Sequence, residues 1–188
     1  MDTGAQDVRY NGKLVRLTTI GAIVMALAGS ALHFVYDWFG QSTPVGLLAP
    51  VNESVWEHAK LVFLPPLVWY ELTALWMGHG RPRELLGASA LALWFMPLFQ
   101  IAFYYAYAAI ARGDLFVMDI VDFVLTVVLG QALFCQLATR LHCTRAGRVA
   151  AVLSIVALAS IFAVFTVRPP HIPLFMDSET RTYGLPLK

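Results

Sequence analysis

Five apolar runs, at about 17–39, 57–77, 85–109, 117–139 and 148–167, occupy most of this 188-residue chain. Each is close to or above the ~20 residues with which a helix crosses a ~30 Å hydrocarbon layer. That pattern predicts an all-α polytopic membrane protein, a bundle of five transmembrane helices forming one domain over residues 1–188. Charged residues make up 13% of the chain, about half the ~25% usual in soluble domains. Short connections leave no length for a soluble catalytic domain. The apolar core of the first run, Leu17 to Leu32, is longer than a signal-peptide h-region and is followed by further runs, so it reads as a retained helix.

Basic residues sort to one side. Arg9, Lys13 and Arg16, then Arg81 and Arg83, then Arg140, Arg145 and Arg148 fall on a common face if the chain crosses five times. By the positive-inside rule that face is cytoplasmic. The expectation is an N-terminus inside, a C-terminus outside, and residence in the cell inner (cytoplasmic) membrane. Asp37, Glu53, Glu57, Asp114, Asp119, Asp122, Asp177 and Glu179 gather on the other face. A net charge of +1 and the lack of a basic tract give nucleic-acid binding no support. Five runs do not divide into two equal inverted halves, which counts against a transporter built by simple duplication; oligomerisation can supply what one chain lacks. Cys135 and Cys143 read as unpaired thiols.

Several local signals set boundaries. Trp38 and Phe39, followed by Gly40, end the first helix at an interface. Ser54-Val55-Trp56-Glu57 matches a capping box in which Ser54 caps the second helix and Glu57 returns to its N–H, with Asn52 as a competing cap. Pro65-Pro66 falls inside the second run and predicts a kink, because each proline removes a helical donor. Gly78-His79-Gly80-Arg81-Pro82-Arg83 reads as a turn, and Pro97 as a bend in the third helix. The fifth helix, with almost no deep polar residue, reads as structural and lipid-facing.

Ionisable groups inside a span are expensive and tend to face a protein interior or a cavity. His33 and Asp37 are four apart on one helix face, as a His–carboxylate pair for metal or proton, or as a buried hydrogen-bonded pair. Glu53 and Glu57 share a face at the start of the second helix, with His58 turned about 100° away at ~3.6 residues per turn. All three reach one site only if the helix start is irregular or the site lies between helices. Asp119 and Asp122 share a face of the fourth helix. His33, Glu57, His58, Asp119 and Asp122 thus form a candidate oxygen–nitrogen ligand set for one divalent metal ion, although no diagnostic spacing such as H-E-x-x-H is present. Glu71 is the most deeply placed acid, either a proton carrier or a neutral acid bonded to backbone. Asn52, Glu53, Trp56, Glu71, Gln100, Tyr104 and His171 complete the candidate substrate-binding set, and His33, Asp37, Glu57 and His58 the candidate catalytic set.

The stretch Pro50-Val51-Asn52-Glu53-Ser54-Val55-Trp56-Glu57-His58-Ala59-Lys60, with His33-Phe34-Val35-Tyr36-Asp37-Trp38 and the tail Pro169-Pro170-His171-Ile172-Pro173-Leu174-Phe175, resembles a small bacterial multi-pass membrane family of unknown function. The resemblance implies likeness over nearly the full chain and a membrane location, and carries no activity.

These features support a membrane-embedded enzyme acting on a lipid or lipid-linked head group, with a metal or a His–carboxylate group activating water. A transporter or ion-binding protein using Glu71 and the proline-broken second helix is the main alternative. A non-catalytic membrane assembly protein is the third.

Overall fold

The computed structural model describes residues 3–77, 82–113 and 115–185. Among the described residues four helices are long and apolar enough to cross a membrane: α1 (Thr3–Trp38), α5 (Pro82–Ala111), α6 (Phe116–Arg140) and α7 (Arg145–Val167). Three short helices lie between α1 and α5: α2 (Thr43–Gly46), α3 (Val55–His58) and α4 (Leu64–Met77). Among the described residues the β-type pairing is one bridge, between Met176 and Tyr183. The predicted turn at Gly78, His79, Gly80 and Arg81, and the acid Asp114, lie outside the described residues.

The second apolar run is not one helix. After α3 the chain tightens into a 3-10 turn over Ala59–Val62 and restarts as α4. The break therefore falls before Pro65 and Pro66 and not at them. Both prolines sit in the first turn of α4, where their missing N–H groups have no helical acceptor to leave empty. The run consequently lacks a single helix of membrane-crossing length. Pro97 by contrast lies inside a continuous α5.

The segments α1 and α4, and α5 and α6, pair antiparallel, whereas α5 and α7 run parallel, with Trp94 donating to the Ser154 carbonyl at 3.3 Å. The Lys13 ammonium donates to the Trp76 carbonyl, so α4 ends beside the beginning of α1. His33, twenty positions further along α1, stacks on His58 at the start of the broken segment, with ring centroids 5.2 Å apart. The α5–α6 pair is held by Tyr107 donating to Asp119 at one end. Near the middle Gly130 backs onto Met96, whose Cγ would stand 2.4 Å from any added Cβ. There Tyr70 from α4 stacks on Phe134 at 4.1 Å and reaches the Gly130 carbonyl at 3.4 Å. A buried core of aromatic and aliphatic side chains thus fills this part of the bundle.

A second packed unit ties the loops at the His33 end. Lys60 is 1% exposed, and its ammonium donates to Glu57 Oε2 at 2.6 Å, the Gly46 carbonyl at 2.7 Å and the Ala49 carbonyl at 3.2 Å. Glu57, 2% exposed, also accepts from the Val51 N–H at 3.1 Å and from Thr166 Oγ1 of α7 at 2.8 Å. One buried ion pair therefore joins the 43–51 loop, α3 and the end of α7. The capping box forms only in half. Ser54 Oγ accepts from the Glu57 N–H at 3.3 Å, but the Ser54 N–H goes to Asn52 Oδ1 at 3.0 Å, because the Glu57 carboxylate is committed to Lys60, Val51 and Thr166.

Candidate functional site

A cavity of about 470 Å³ opens at the His33 end of the bundle. Its walls come from α1 (Ser30, His33, Phe34), the loop and broken segment (Glu53, Val55, His58, Leu61), α5 (Gln100, Tyr104), α6 (Phe116 to Phe123) and the tail after α7 (Ser178, Glu179). Gly29 lets α1 come close enough to build it. A Cβ there would stand 2.7 Å from the Phe123 ring and 3.0 Å from the Leu61 carbonyl oxygen. One turn on, His33 is presented to the cavity.

Three side chains converge. His33 Nε2 lies 3.6 Å from Glu53 Oε1, and His58 Nε2 lies 3.3 Å from Glu53 Oε2. The ligand-type atoms of His33, Glu53 and His58 all fall within 4.8 Å of one another. His58 Nδ1 is 3.0 Å from the Ser54 carbonyl oxygen. A carbonyl only accepts, so Nδ1 carries a proton donated to it, and the second ring nitrogen faces the carboxylate. That nitrogen meets Glu53 favourably when it is protonated, or when a cation stands between them. The His58 hydrogen bond holds the Glu53 carboxyl below the usual carboxylate range, against the opposing effect of burial. The backbone carbonyl behind His58 is the kind of partner that orients an imidazole for metal ligation.

On α6, Asp119 accepts from the Tyr107 hydroxyl and Asp122 from Thr126 Oγ1 at 3.2 Å. Gln100 is 7% exposed, and its side-chain oxygen has no hydrogen-bond partner. Of the lining residues, Glu53, Asp119, Asp122 and Glu179 are acidic, and none described is Lys or Arg.

The residues singled out from the sequence separate into two groups. His33, Glu53, His58, Gln100, Tyr104, Asp119 and Asp122 all line this cavity. The others do not. Glu57, expected as a catalytic group and ligand, is turned away into its buried pair with Lys60. Asp37 is exposed one turn beyond His33 and accepts from Gln41 at 3.0 Å. Asn52 bridges the loop to the tail, donating to the Gly184 carbonyl at 3.1 Å. Trp56 packs among Phe162, Phe165 and Phe175. Glu71 is exposed on the flank of α4, and His171 stacks on Tyr183 in the tail. Sequence reasoning missed Ser30, Ser178 and Glu179 as walls, and Lys60 as the partner of Glu57. Ser30 lies three positions before His33 on the same face, and Lys60 three after Glu57, so both left a spacing signal. Glu179 left only the charge sorting that put it on the same face as Glu53 and Asp119, and Ser178 left none.

A family described as "Family of unknown function (DUF6512)" matches residues 8–185. With nearly the whole chain covered, the protein belongs to this family, whose description names no activity. No curated protein and no solved structure matches the chain. Among the described residues the chain carries four apolar helices of membrane-crossing length, the pattern of a multi-pass membrane protein.

Proposed function

We propose that the protein is a metal-dependent membrane enzyme that hydrolyses a lipid or lipid-linked head group at a His33–Glu53–His58 centre. The observation that carries the reading is the convergence of two imidazoles and one carboxylate within 4.8 Å. The donor set suits Zn²⁺ or a similar divalent ion, which His33, Glu53 and His58 would hold. Bound there, such an ion would make water nucleophilic near neutral pH and polarise the group attacked. The remaining work falls to the chain. The Ser54 carbonyl fixes the His58 ring, and a carboxylate of the cavity wall, Asp119 or Asp122, takes the proton from the attacking water. The water oxygen bonds to the electrophilic atom of the head group, the bond to the leaving oxygen breaks, and that oxygen receives the proton.

Access from the lipid supports the substrate class. Phe34, Phe116 and Ile120 line the cavity and are also exposed on the flank of the bundle, Phe116 by 78%. An apolar side opening between α1 and the start of α6 suits a head group whose acyl chains stay in the bilayer. The transporter alternative has less support, because Glu71 lies outside the cavity and the middle of the bundle is filled by Tyr70, Met96 and Phe134.

The reading includes five crossings, with the site on the outer face of a bacterial cytoplasmic membrane. Between the His33–His58 contact and the Lys13–Trp76 contact, α1 rises about 30 Å at 1.5 Å per residue. The broken segment covers the same distance in the opposite direction, which is a full crossing. Arg9, Lys13 and Arg16 then share the inner side with Arg140, Arg145 and Arg148.

The test is metal analysis of protein purified in nanodiscs. The expected result is one equivalent of a divalent ion, lost in both His33→Ala and Glu53→Gln while each variant stays folded. A folded protein that takes up no divalent ion at neutral pH overturns the metal centre. Cysteine labelling that reaches residues 41–53 and 140–148 from the same compartment overturns the topology.

A further inference from the structure

The seam between α1 and α4 carries a groove of about 310 Å³ that shares no lining residue with the ligand cavity. Two rows with a spacing of four form its sides: Val24, Ala28 and Leu32 on α1, and Leu64, Val68 and Leu72 on α4. None of its lining residues is charged. Rows spaced by four follow a helix at a shallow angle to its axis, so each continues beyond the groove along a known course. On α1 the row runs back through Ile20 to Arg16. On α4 it runs on to Trp76, whose ring meets the groove residue Trp69 edge-on at 5.4 Å. The Trp76 carbonyl, left free at a helix end, accepts from the Lys13 ammonium. Both sides of the groove therefore lead to the same basic end. Leu72 is one turn, about 6 Å, from Trp76, and Val24 is two turns, about 12 Å, from Arg16. Ile20, Val24, Val68 and Trp76 are all exposed, so the seam opens on the flank of the bundle.

Arg16 and Lys13 are exposed and three apart, which makes them neighbours on the helix surface. Among the described residues neither has an acidic partner within ion-pair distance. Glu71, the acid beside Leu72, is turned about 100° from it and does not line the groove.

We propose that this seam binds one anionic phospholipid from the leaflet on the Lys13 side, with its phosphate at Arg16 and Lys13 and an acyl chain in the groove. The order of the chemistry along the seam selects the occupant. Two cations come first, then an exposed tryptophan of the kind that sits at head-group depth, then an uncharged slot. A guanidinium offers paired donors to phosphate oxygens, and the ammonium adds a second positive charge. Lys13 spends one of its three N–H groups on Trp76 and keeps two for a ligand. An acyl chain occupies half of a ~30 Å hydrocarbon layer, enough to pass Leu72 and reach Val24. A zwitterionic lipid brings the same phosphate with a cation that Arg16 and Lys13 repel. The site needs no metal and does not depend on the chemistry of the ligand cavity.

The experiment measures lipid retained by the full-length protein in native mass spectrometry, released from nanodiscs of equal phosphatidylglycerol and phosphatidylcholine with identical chains. The expected result is about tenfold preference for phosphatidylglycerol, from two cationic side chains acting on one anionic head group. Arg16→Gln lowers that preference by about threefold or more, and Lys13→Gln added to it removes the rest. Ala28→Phe fills the groove from an exposed position and lowers the retained phosphatidylglycerol while both charges remain. Arg145→Gln, at the start of α7 and off the seam, keeps the preference. Each variant is checked for the melting profile of the parent, and the exposure of Arg16, Ala28 and Arg145 leaves the fold intact. Equal retention of the two lipids by the parent overturns the proposal, and so does a preference that survives the double substitution. A loss in Arg145→Gln as large as that in Arg16→Gln overturns it too, by showing a diffuse basic surface in place of a site. Unchanged retention in Ala28→Phe overturns the seat of the chain in the groove.

Discussion

Glu53 and Glu57 are four residues apart and have opposite fates. Glu53 projects into the cavity, 40% exposed, between two imidazoles. Glu57 is buried and accepts from a lysine, a backbone N–H and a threonine contributed by three different parts of the fold. The difference teaches what local spacing leaves undetermined. An i, i+4 pair shares a face only in a continuous helix, and here the helix begins between the two residues, after Ser54. One carboxylate is left on the extended approach and the other on the first turn. The loop acid is available for chemistry, and the helical acid holds together the frame that positions it.

The comparison breaks first at the buried pair. Glu57→Gln or Lys60→Met strands a charge in the interior and is expected to cost about 3–5 kcal/mol, read as a fall in melting temperature in detergent. If Glu57→Gln melts as the parent does, the frame role assigned to Glu57 is wrong. Next comes Gly29, where the two regions meet under the cavity. Gly29→Ala forces its Cβ against Phe123 and the Leu61 carbonyl, with an expected loss of about 1–3 kcal/mol. Unchanged unfolding of that variant would show that α1 has room to move away. Glu53→Gln makes the opposite case. Its effect on stability is expected within about 1 kcal/mol, since the pair is partly exposed and screened, while divalent-ion binding is abolished.

Acid titration sharpens the same contrast. Glu53 has a depressed value in the folded protein. It therefore contributes stability above its unfolded value, near ~4.3, and that contribution is lost as pH falls through the folded value. Metal-free parent protein should lose stability on acidification in that range, and Glu53→Gln should lose less. Equal acid sensitivity of the two would remove the Glu53–His58 pair as a cause. The smallest effect is expected at Glu71. Glu71→Gln should stay within about 0.5 kcal/mol of the parent and leave ion binding unchanged. A marked loss of ion binding there would revive a transport role.

Much of this was legible in the sequence because bilayer thickness sets run length so strongly. The helix ends at Trp38, Ala111, Arg140 and Val167 lie within two residues of the apolar boundaries. The second run was misjudged because hydropathy reports burial and not hydrogen-bond pattern. Ala59 to Phe63 are buried whether they form an α-helix or a tighter turn. His33, His58, Asp119 and Asp122 were legible as costly groups in apolar surroundings. The choice of Glu53 over Glu57 was not, since it depends on Lys60 and Thr166, and Thr166 lies 109 positions from Glu57. Ser178 was illegible as a wall for the same reason, and Glu179 was legible only as one of the acids on that face. Their places come from contacts such as Ser178 Oγ donating to the Glu53 carbonyl at 3.2 Å.

That last contact bears on how the protein is made. Glu53 leaves the ribosome long before Ser178, and three long helices must be threaded in between. Until the stretch beyond α7 has emerged and swung back over the 50–54 loop, the pocket lacks one side. A chain halted during synthesis after α7 would thus display its imidazoles and acids with that side uncovered, so this wall of the pocket can close only once the segment after α7 has been made.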